Sequence, residues 1–364
     1  MLTHKVTAGR VRACVEADLP RLVELHRRVW GPSPALPRAE FTAYLGEILF
    51  DNPCIDGGLP SLVYEDAEGT ITGCLGVMPR RMWWKKRRIV VAISHNFMVE
   101  PGSRSTLAGV QLLKTFFAGS QDLSIAEGNT ASRRVWEGLG GSTALLYSLR
   151  WSRPLRPSRY LLALLAKRGF AGPLASAVRP LCGAVDALVG RALARPAGPG
   201  EVLGEELASD VLRGSLPRMV GELALWPDYD ERSLRWLLDL AARKPGHGPL
   251  RKIVVREGPD RALGWYLYYA RPGGVSEVVQ IGATEATAGL VLDHLFHDAW
   301  RQGAIAVSGP MEPRFLQVLS DKYCVFRDGG AWMLVHSRHS DLVHAIQRGD
   351  AFLSRLDGEW WINL

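Results

Sequence analysis

The stretch richest in chemistry runs Asn96-Phe97-Met98-Val99-Glu100-Pro101-Gly102-Ser103-Arg104-Ser105-Thr106-Leu107-Ala108-Gly109. An apolar strand ends in a Glu-Pro turn, a short polar loop with glycine follows, and an amphipathic helical pattern then opens. Such a junction aims main-chain N–H groups outward from a helix N-terminus, where the helix dipole favours an anion such as a pyrophosphate. Small loop residues let phosphates approach the backbone. Two other clusters carry less. His294 and His297 stand at i and i+3 on one helical pattern, which is ligand-like spacing, but no third ligand follows at a known distance. Hydrogen-bonded histidines and no metal are expected there. Trp83-Trp84 lie among Arg80, Arg81, Lys85, Lys86, Arg87 and Arg88. That group could stack on an aromatic or sugar ligand or meet a membrane or acidic partner. A solvated hairpin tip with one Trp packed back on the body is the favoured reading.

The elements that must hold the anion cradle follow from hydrophobic period and turn chemistry. A strand at Val11–Cys14 leads into a helix from Leu19 to Val29, and a second helix covers Arg38–Phe50. Strands follow at Ser61–Glu65, Ile71–Met78 and Arg87–Met98, then a helix at Leu107–Ala118, a strand at Leu123–Ala126, a helix at Thr130–Leu139 and a strand at Thr143–Trp151. The order is βααβββαβαβ. After residue 200 it recurs. Helices are expected at Leu207–Leu225, broken or kinked before Pro217, and at Glu231–Ala242. Strands come at Arg251–Arg256, Ala262–Tyr269 and Val275–Gly282, then a helix at Ala286–Arg301, a strand at Ile305–Ser308, a helix at Glu312–Lys322, a strand at Trp332–Ser337 and a helix at Asp341–Arg348. This is a repeat of architecture rather than of sequence.

Bulk composition fits two globular domains: 364 residues, 47% hydrophobic and 22% charged. Five scattered cysteines without a CxxC pair read as reduced thiols. No signal-like start and no long apolar run is found, so a cytoplasmic protein is expected. The net charge of +7 is local, because residues 150–200 hold nine Arg and Lys against the single acid Asp186. A nucleic-acid partner is therefore not inferred from the basic balance.

With these pieces in order, residues 10–150 resemble the GNAT (N-acetyltransferase) superfamily. Arg104 and Gly109 take the first and last positions of its Arg/Gln-x-x-Gly-x-Gly/Ala loop, while Leu107 stands at the middle glycine and narrows the approach to the backbone. Asn129-Thr130-Ala131-Ser132-Arg133-Arg134-Val135-Trp136-Glu137-Gly138-Leu139-Gly140 resembles the family's Asn-x-x-Ala-x-x-x-Tyr-Glu-x-Leu-Gly block, with Ser132 for Ala and Trp136 for Tyr. The resemblance implies an α/β (α+β) chain of two tandem GNAT-like domains, each a mixed, mostly antiparallel sheet flanked by helices. It implies acyl transfer from acetyl-CoA or another acyl-CoA to the primary amine of a small molecule by direct attack. Main-chain groups of Phe97, Met98 and Val99 would meet the thioester carbonyl. Arg104, Ser105, Thr106, Leu107, Ala108 and Gly109 would meet the diphosphate, and Asn129, Ser132 and Trp136 the pantetheine arm. The family's Tyr often acts as general acid, but indole N–H is only a donor, which leaves Tyr147 as a weak substitute. Glu127 and His95, with Glu100 third, are the candidate bases.

The chain divides as 1–150, an N-terminal acyltransferase domain; 151–200, a basic amphipathic helical connector; and 201–364, a C-terminal GNAT-like domain. In the last, Ala283–Gly289 lacks the Arg or Gln and the glycines of a phosphate loop. That half would close over the acceptor site or supply part of it. Its ending, Phe352–Trp361, could line an acceptor pocket or pack on the core. The 151–195 segment suits a structural bridge, an anionic membrane surface or an acyl carrier protein. With a carrier-bound donor the enzyme would be a longer-chain acyltransferase, and on a decayed fold the protein would only bind.

Overall fold

The computed structural model describes residues 9–31, 36–55, 58–101, 105–167, 182, 185–186, 202–259, 261–360 and 362, with the side chains of Ser105, Thr106 and Lys167 left out. Arg104 and most of the connector lie outside the described residues.

Two mixed sheets flanked by helices make up the fold. The first sheet contains β1 (Arg10–Ala13), β2 (Leu62–Glu65), β3 (Ile71–Trp84), β4 (Arg87–Val99), β5 (Leu123–Gly128) and β6 (Ser142–Thr143). The second contains β7 (Leu149–Pro154), β8 (Val202–Glu206), β10 (Leu250–Glu257), β11 (Arg261–Tyr269), β12 (Val275–Ala283), β13 (Ala306–Pro310) and β14 (Val325–Asp328). Short β9 (Leu225–Pro227) joins β3 of the first sheet, and β15 (Trp332–His336) lies between β5 and β6. The sheets thus exchange strands. β7, from the first half of the chain, pairs with β13 and β14, while β15, from the second half, pairs with β5. The boundary expected at residue 150 falls within β7, and β15 returns from the second half to the first sheet.

Local sequence explains part of this exchange. Thr143–Trp151 is not one strand, because Leu145–Ser148 forms a helical turn in which Ser148 Oγ donates to Ala144 O at 2.9 Å. A short apolar run without alternation fits a buried helical turn as well as a buried strand. The turn redirects the chain from the first sheet to the second. Strands β8 and β14 are additions to the expected order, and the helix Ser209–Val220 runs through Pro217.

The β3–β4 hairpin extends further than Met78. Lys85 and Lys86 take φ of 44° and 69°, the left-handed pair of a two-residue hairpin turn. Its tip residues Lys85 to Arg88 are exposed, while the strands behind the tip are docked on the body. β9 pairs with Met82–Trp84, and the buried Trp84 belongs to the core. Trp83 Nε1 donates to Asp228 Oδ1 at 3.1 Å, and Arg88 joins the same carboxylate at 2.8 Å. Both tryptophans are thereby occupied by the second half of the chain.

One apolar core runs through the interface. It takes Met78, Ile89, Val91 and Ile93 from the first sheet, Trp265, Leu267 and Val279 from the second, and Phe352 and Leu356 from the C-terminal segment. Separate cores lie under the outer helices, α3 (Ser105–Phe117) on the first sheet and Glu285–Arg301 on the second. α1 (Leu19–Trp30) and α2 (Arg38–Leu49) cover the inner face of the first sheet. Among the described residues no helix is long and apolar enough to cross a membrane.

Candidate active site

The site begins where β4 leaves β5. The two pair in parallel over only Val91–Ile93 against Leu123–Ile125. Beyond that, the β3–β4 register shifts between Cys74 and Gly76, so that β4 carries an extra residue, and Asn96 adopts a φ of 47°. A bulge of this kind bends the strand and increases its twist. β5 keeps its other edge on β15 (Glu127 opposite Met333), so its β4-facing edge is left open. The resulting gap is a cavity of ≈ 130 Å³ lined by Ser94, Asn96, Phe97, Ala126 to Asn129, Ser132 and Trp136, with Trp30 and Glu359 at its rim.

The residues read from the sequence fall unevenly around this gap. Phe97, Glu127, Asn129, Ser132 and Trp136 converge on it. Met98 and Val99 do not line it: Met98 is buried beneath α1, and the Val99 side chain packs against Gly109 of α3. Ala108 is buried, and Leu107 is 53% exposed, so its side chain points away from the gap and does not plug it. Asn129 uses its side-chain oxygen to cap α4 (Thr130–Gly138), accepting from Ala131 N and Ser132 N at 2.9 Å each. Trp136 is a wall: it is buried against Phe117, and its Nε1 donates to Val335 O at 3.0 Å. Tyr147 is elsewhere. Its hydroxyl donates to Ala351 O at 2.6 Å and accepts from Ala351 N, and burial pushes its pKa well up. It is a core fastener rather than an acid. Glu100 is paired with Arg28 at 2.9 Å at the end of β4. His95 is fully buried over Gly76, and its Nε2 has no hydrogen-bond partner among the described residues. Burial, aided by Arg80, brings its pKa down to about 3, so the ring is neutral. It lines neither cavity of the site.

Glu127 is the best-placed titratable group. Burial raises its pKa, against the opposing pull of Arg355, Arg150, a bond from Trp360 N–H, and Lys244. All four come from the second sheet, the turn after the helix Glu231–Ala242, or the C-terminal segment. Arg355 is almost wholly buried: it donates to Glu277 Oε2 at 2.8 Å and to Val278 O at 3.1 Å, and lies on the Trp360 ring at 4.0 Å. Arg150, on β7, shares Glu277. Lys244 donates to Trp360 O at 3.1 Å, and burial brings its pKa down to about 8.

A larger cavity of ≈ 360 Å³ lies on the side of Ile93 and Ile125, between the two halves of the chain. Its polar wall includes Arg80, Tyr229, Ser354 and Asp357, and its apolar wall includes Met82, Met333 and Leu353. Gly358 lines it too, and a Cβ there would come within 2.8 Å of Glu127 Oε1. Glu127 thus stands between the two cavities. The C-terminal segment both lines this pocket and packs into the core. Sequence reasoning named Arg80 only within the basic hairpin cluster, and Arg355 and Asp357 only within the Phe352–Trp361 segment that could line an acceptor pocket; it did not reach Tyr229 or Lys244, which lie far along the chain from the motif blocks.

The second sheet repeats the departure of strands. β12 and β13 pair over three residues and then diverge. There Phe352 to Ser354 fill the gap, leaving only ≈ 20 Å³, and Arg355 N donates to Val279 O at 3.1 Å. In the histidine pair on the helix Glu285–Arg301, His294 Nδ1 meets the Tyr266 hydroxyl at 2.8 Å, and no group of three or more possible metal ligands occurs among the described residues.

No protein-family model matches the chain, and no curated protein matches its sequence. Solved structures do match its fold. A GCN5-related N-acetyltransferase from Kribbella flavida superposes with a TM-score of 0.56 at 15% identity, covering 90% of this chain and 70% of that one. A probable N-acyltransferase from Enterococcus faecalis V583 gives 0.61 at 11% identity, covering 91% and 73%. Saccharomyces cerevisiae N-myristoyltransferase with bound myristoyl-CoA and inhibitors gives 0.54 at 9% identity, covering 90% and 80%. Two exchanging mixed sheets, a bulged β4 and an open gap beside β5 give this chain the fold of the GCN5-related N-acetyltransferases.

Proposed function

We propose that the protein is an N-acyltransferase that moves an acyl group from acyl-CoA to the primary amine of a small molecule. The observation that carries this is a recessed carboxylate, Glu127, set between a strand gap and a separate pocket. In this reading the pantetheine arm enters the gap between β4 and β5, whose facing edges have main-chain groups to offer it. The diphosphate rests at the start of α3. Main-chain N–H at Phe97, the member of the Phe97–Val99 segment that lines the gap, stabilises the oxyanion as the thioester carbonyl is attacked.

The reaction needs no covalent enzyme intermediate. The amine nitrogen forms a bond to the carbonyl carbon, the C–S bond breaks, and CoA leaves as thiolate. Glu127 takes the proton that the amine must lose. A carboxylate raised by burial is a stronger base than an exposed one, and general-base catalysis contributes ~10²–10⁴-fold. Neither Trp136 nor Tyr147 can protonate the thiolate, so its proton comes from water or from Glu127 after transfer. The Saccharomyces neighbour holds myristoyl-CoA, which makes acyl chains longer than acetyl part of the test.

The test is thermal-shift titration of the full chain with CoA, acetyl-CoA and palmitoyl-CoA, together with thiol release over a panel of amines. Stabilisation by a thioester and amine-dependent release of CoA thiol are the expected results. A chain that neither shifts nor releases thiol with any thioester, acyl carrier protein thioesters included, is a binding protein on this fold.

A further inference from the structure

We propose that the ≈ 360 Å³ pocket selects an amino-acid-like zwitterion, holding an ammonium group at Asp357 and a carboxylate at Arg80. The inference rests on the acyl-transfer reading of the site and names the class of its acceptor.

The ammonium side is the stronger half. Asp357 is 6% exposed and lines the cavity. A chain of neutral donors points at its carboxylate. Trp265 Nε1 donates to Gln280 Oε1 at 3.0 Å, and Gln280 Nε2 donates to the Tyr229 hydroxyl at 3.1 Å and to Ser354 Oγ at 3.0 Å. Tyr229 and Ser354 then pass their own protons on, to Asp357 Oδ1 at 2.5 Å and Oδ2 at 2.7 Å. With Gln280 supplying their incoming bonds, both hydroxyls are turned toward Asp357; burial raises its pKa, and these two bonds and the charge of Arg80 oppose that rise. No ion pair to Asp357 occurs among the described residues. A buried carboxylate with two neutral donors and no cation in contact is costly unless a cation arrives, and its open side is the cavity.

The carboxylate side comes from the other sheet. Arg80, on β3, is 8% exposed and lines the same cavity, with its Nη1 on Cys54 Sγ at 3.2 Å. Its planar guanidinium suits a carboxylate better than a lone donor would. Asp228 and Asp230, also on the lining, are already engaged, the first with Arg88 and Trp83 and the second as cap of the helix Glu231–Ala242. Met82, Ile93, Ile125, Met333 and Leu353 leave an apolar wall for a side chain of leucine size. The volume lies within the ~300–1,000 Å³ usual for small-molecule sites. Acylation replaces the ammonium with a neutral amide, so the product loses its hold on Asp357 and leaves.

Binding is measured by calorimetry with no acyl donor present, which separates this inference from catalysis. The probes are leucine, isopentylamine (leucine without its carboxylate) and isocaproate (leucine without its amine), with methionine, phenylalanine and glycine as size variants. At least one zwitterion is expected to bind, and each analogue lacking one charge at least tenfold more weakly. Arg80→Gln should erase the preference over the amine, and Asp357→Asn the preference over the acid. Equal binding of leucine and isopentylamine, or no amino acid binding to the wild-type chain, overturns the inference whether or not the variants fold. Thiol release with other amines would then leave the acyl-transfer reading standing.

Discussion

Glu127→Gln separates the chemistry of the site from its stability, because the two should move in opposite directions. The amide keeps the size of the carboxylate and can still accept the Trp360 N–H, so the cavities keep their shape. What disappears is the ability to take a proton. If Glu127 is the base, kcat/KM should fall ~10²–10⁴-fold, equivalent to about 2.7–5.5 kcal/mol in the barrier. Binding of acyl-CoA should barely change. Stability should rise. Burial raises the folded-state pKa of Glu127 despite Arg355, Arg150 and Lys244. The folded protein therefore holds this proton more tightly than the unfolded chain, and stability declines as pH rises from the unfolded value through the folded one. At neutral pH the ionised group is a liability, and the neutral amide should be more stable by about 1 kcal/mol, an ordinary gain for a favourable replacement. The gain should vanish below about pH 4, near the pKa of an unperturbed Glu, where the wild-type side chain is also neutral. Urea midpoints at neutral and acid pH, beside CoA-thiol release, give both readings. A variant with kcat/KM within threefold of wild type refutes the assignment of the base. A variant destabilised at neutral pH refutes the account of its burial.

Trp136→Phe should lose the bond to Val335 O and destabilise the chain by ~1–3 kcal/mol, while kcat stays within about threefold; a loss beyond a hundredfold would mean that the indole takes part in the reaction. His95, held neutral with a pKa of about 3, contributes stability that is complete above the unfolded value of about 6.5 and is lost as pH falls toward 3. His95→Leu should therefore lose less stability than wild type between pH 7 and pH 4 by urea unfolding, and equal losses would show that the ring is not the acid-sensitive group. Calorimetry should count one acyl-CoA per chain, because the gap in the second sheet is filled by Phe352 to Ser354; a stoichiometry of two would mean that this segment moves aside.

What could be read in advance was local. The Asn96–Gly109 junction and the Asn129–Gly140 block each lie within one strand-to-helix passage, and their resemblance to the GNAT superfamily pointed to Phe97, Asn129, Ser132 and Trp136, which line the gap. Trp136 was legible as a non-acid because an indole has one N–H and no acceptor. Tyr147 lies away from the gap because the apolar run that reads as a strand forms a helical turn, which carries its hydroxyl to Ala351. The strand exchange left no local mark, since which edge β7 or β15 covers is decided by the edges left open elsewhere. The same holds for Arg80, Tyr229 and Asp357: they come from three distant segments, and only tertiary pairing makes them neighbours.

The exchange also gives the second half a reason to exist. A single sheet of this type could hold Glu127 at the end of β5, but only in a gap open to water, where a carboxylate is a weak base. Here the C-terminal segment lies across the opening. It desolvates Glu127, supplies the Trp360 N–H, and sets Arg355 nearby. Arg355 is itself neutralised by Glu277 on β12, which also takes Arg150 from the exchanged β7. The cation that would otherwise suppress the basicity of Glu127 is thereby shared with a second carboxylate. The strands that cross between sheets fix these partners relative to β5. Basicity at Glu127 is then a property of the paired sheets, while the gap proposed to receive the thioester is walled mainly by the first sheet and its helices.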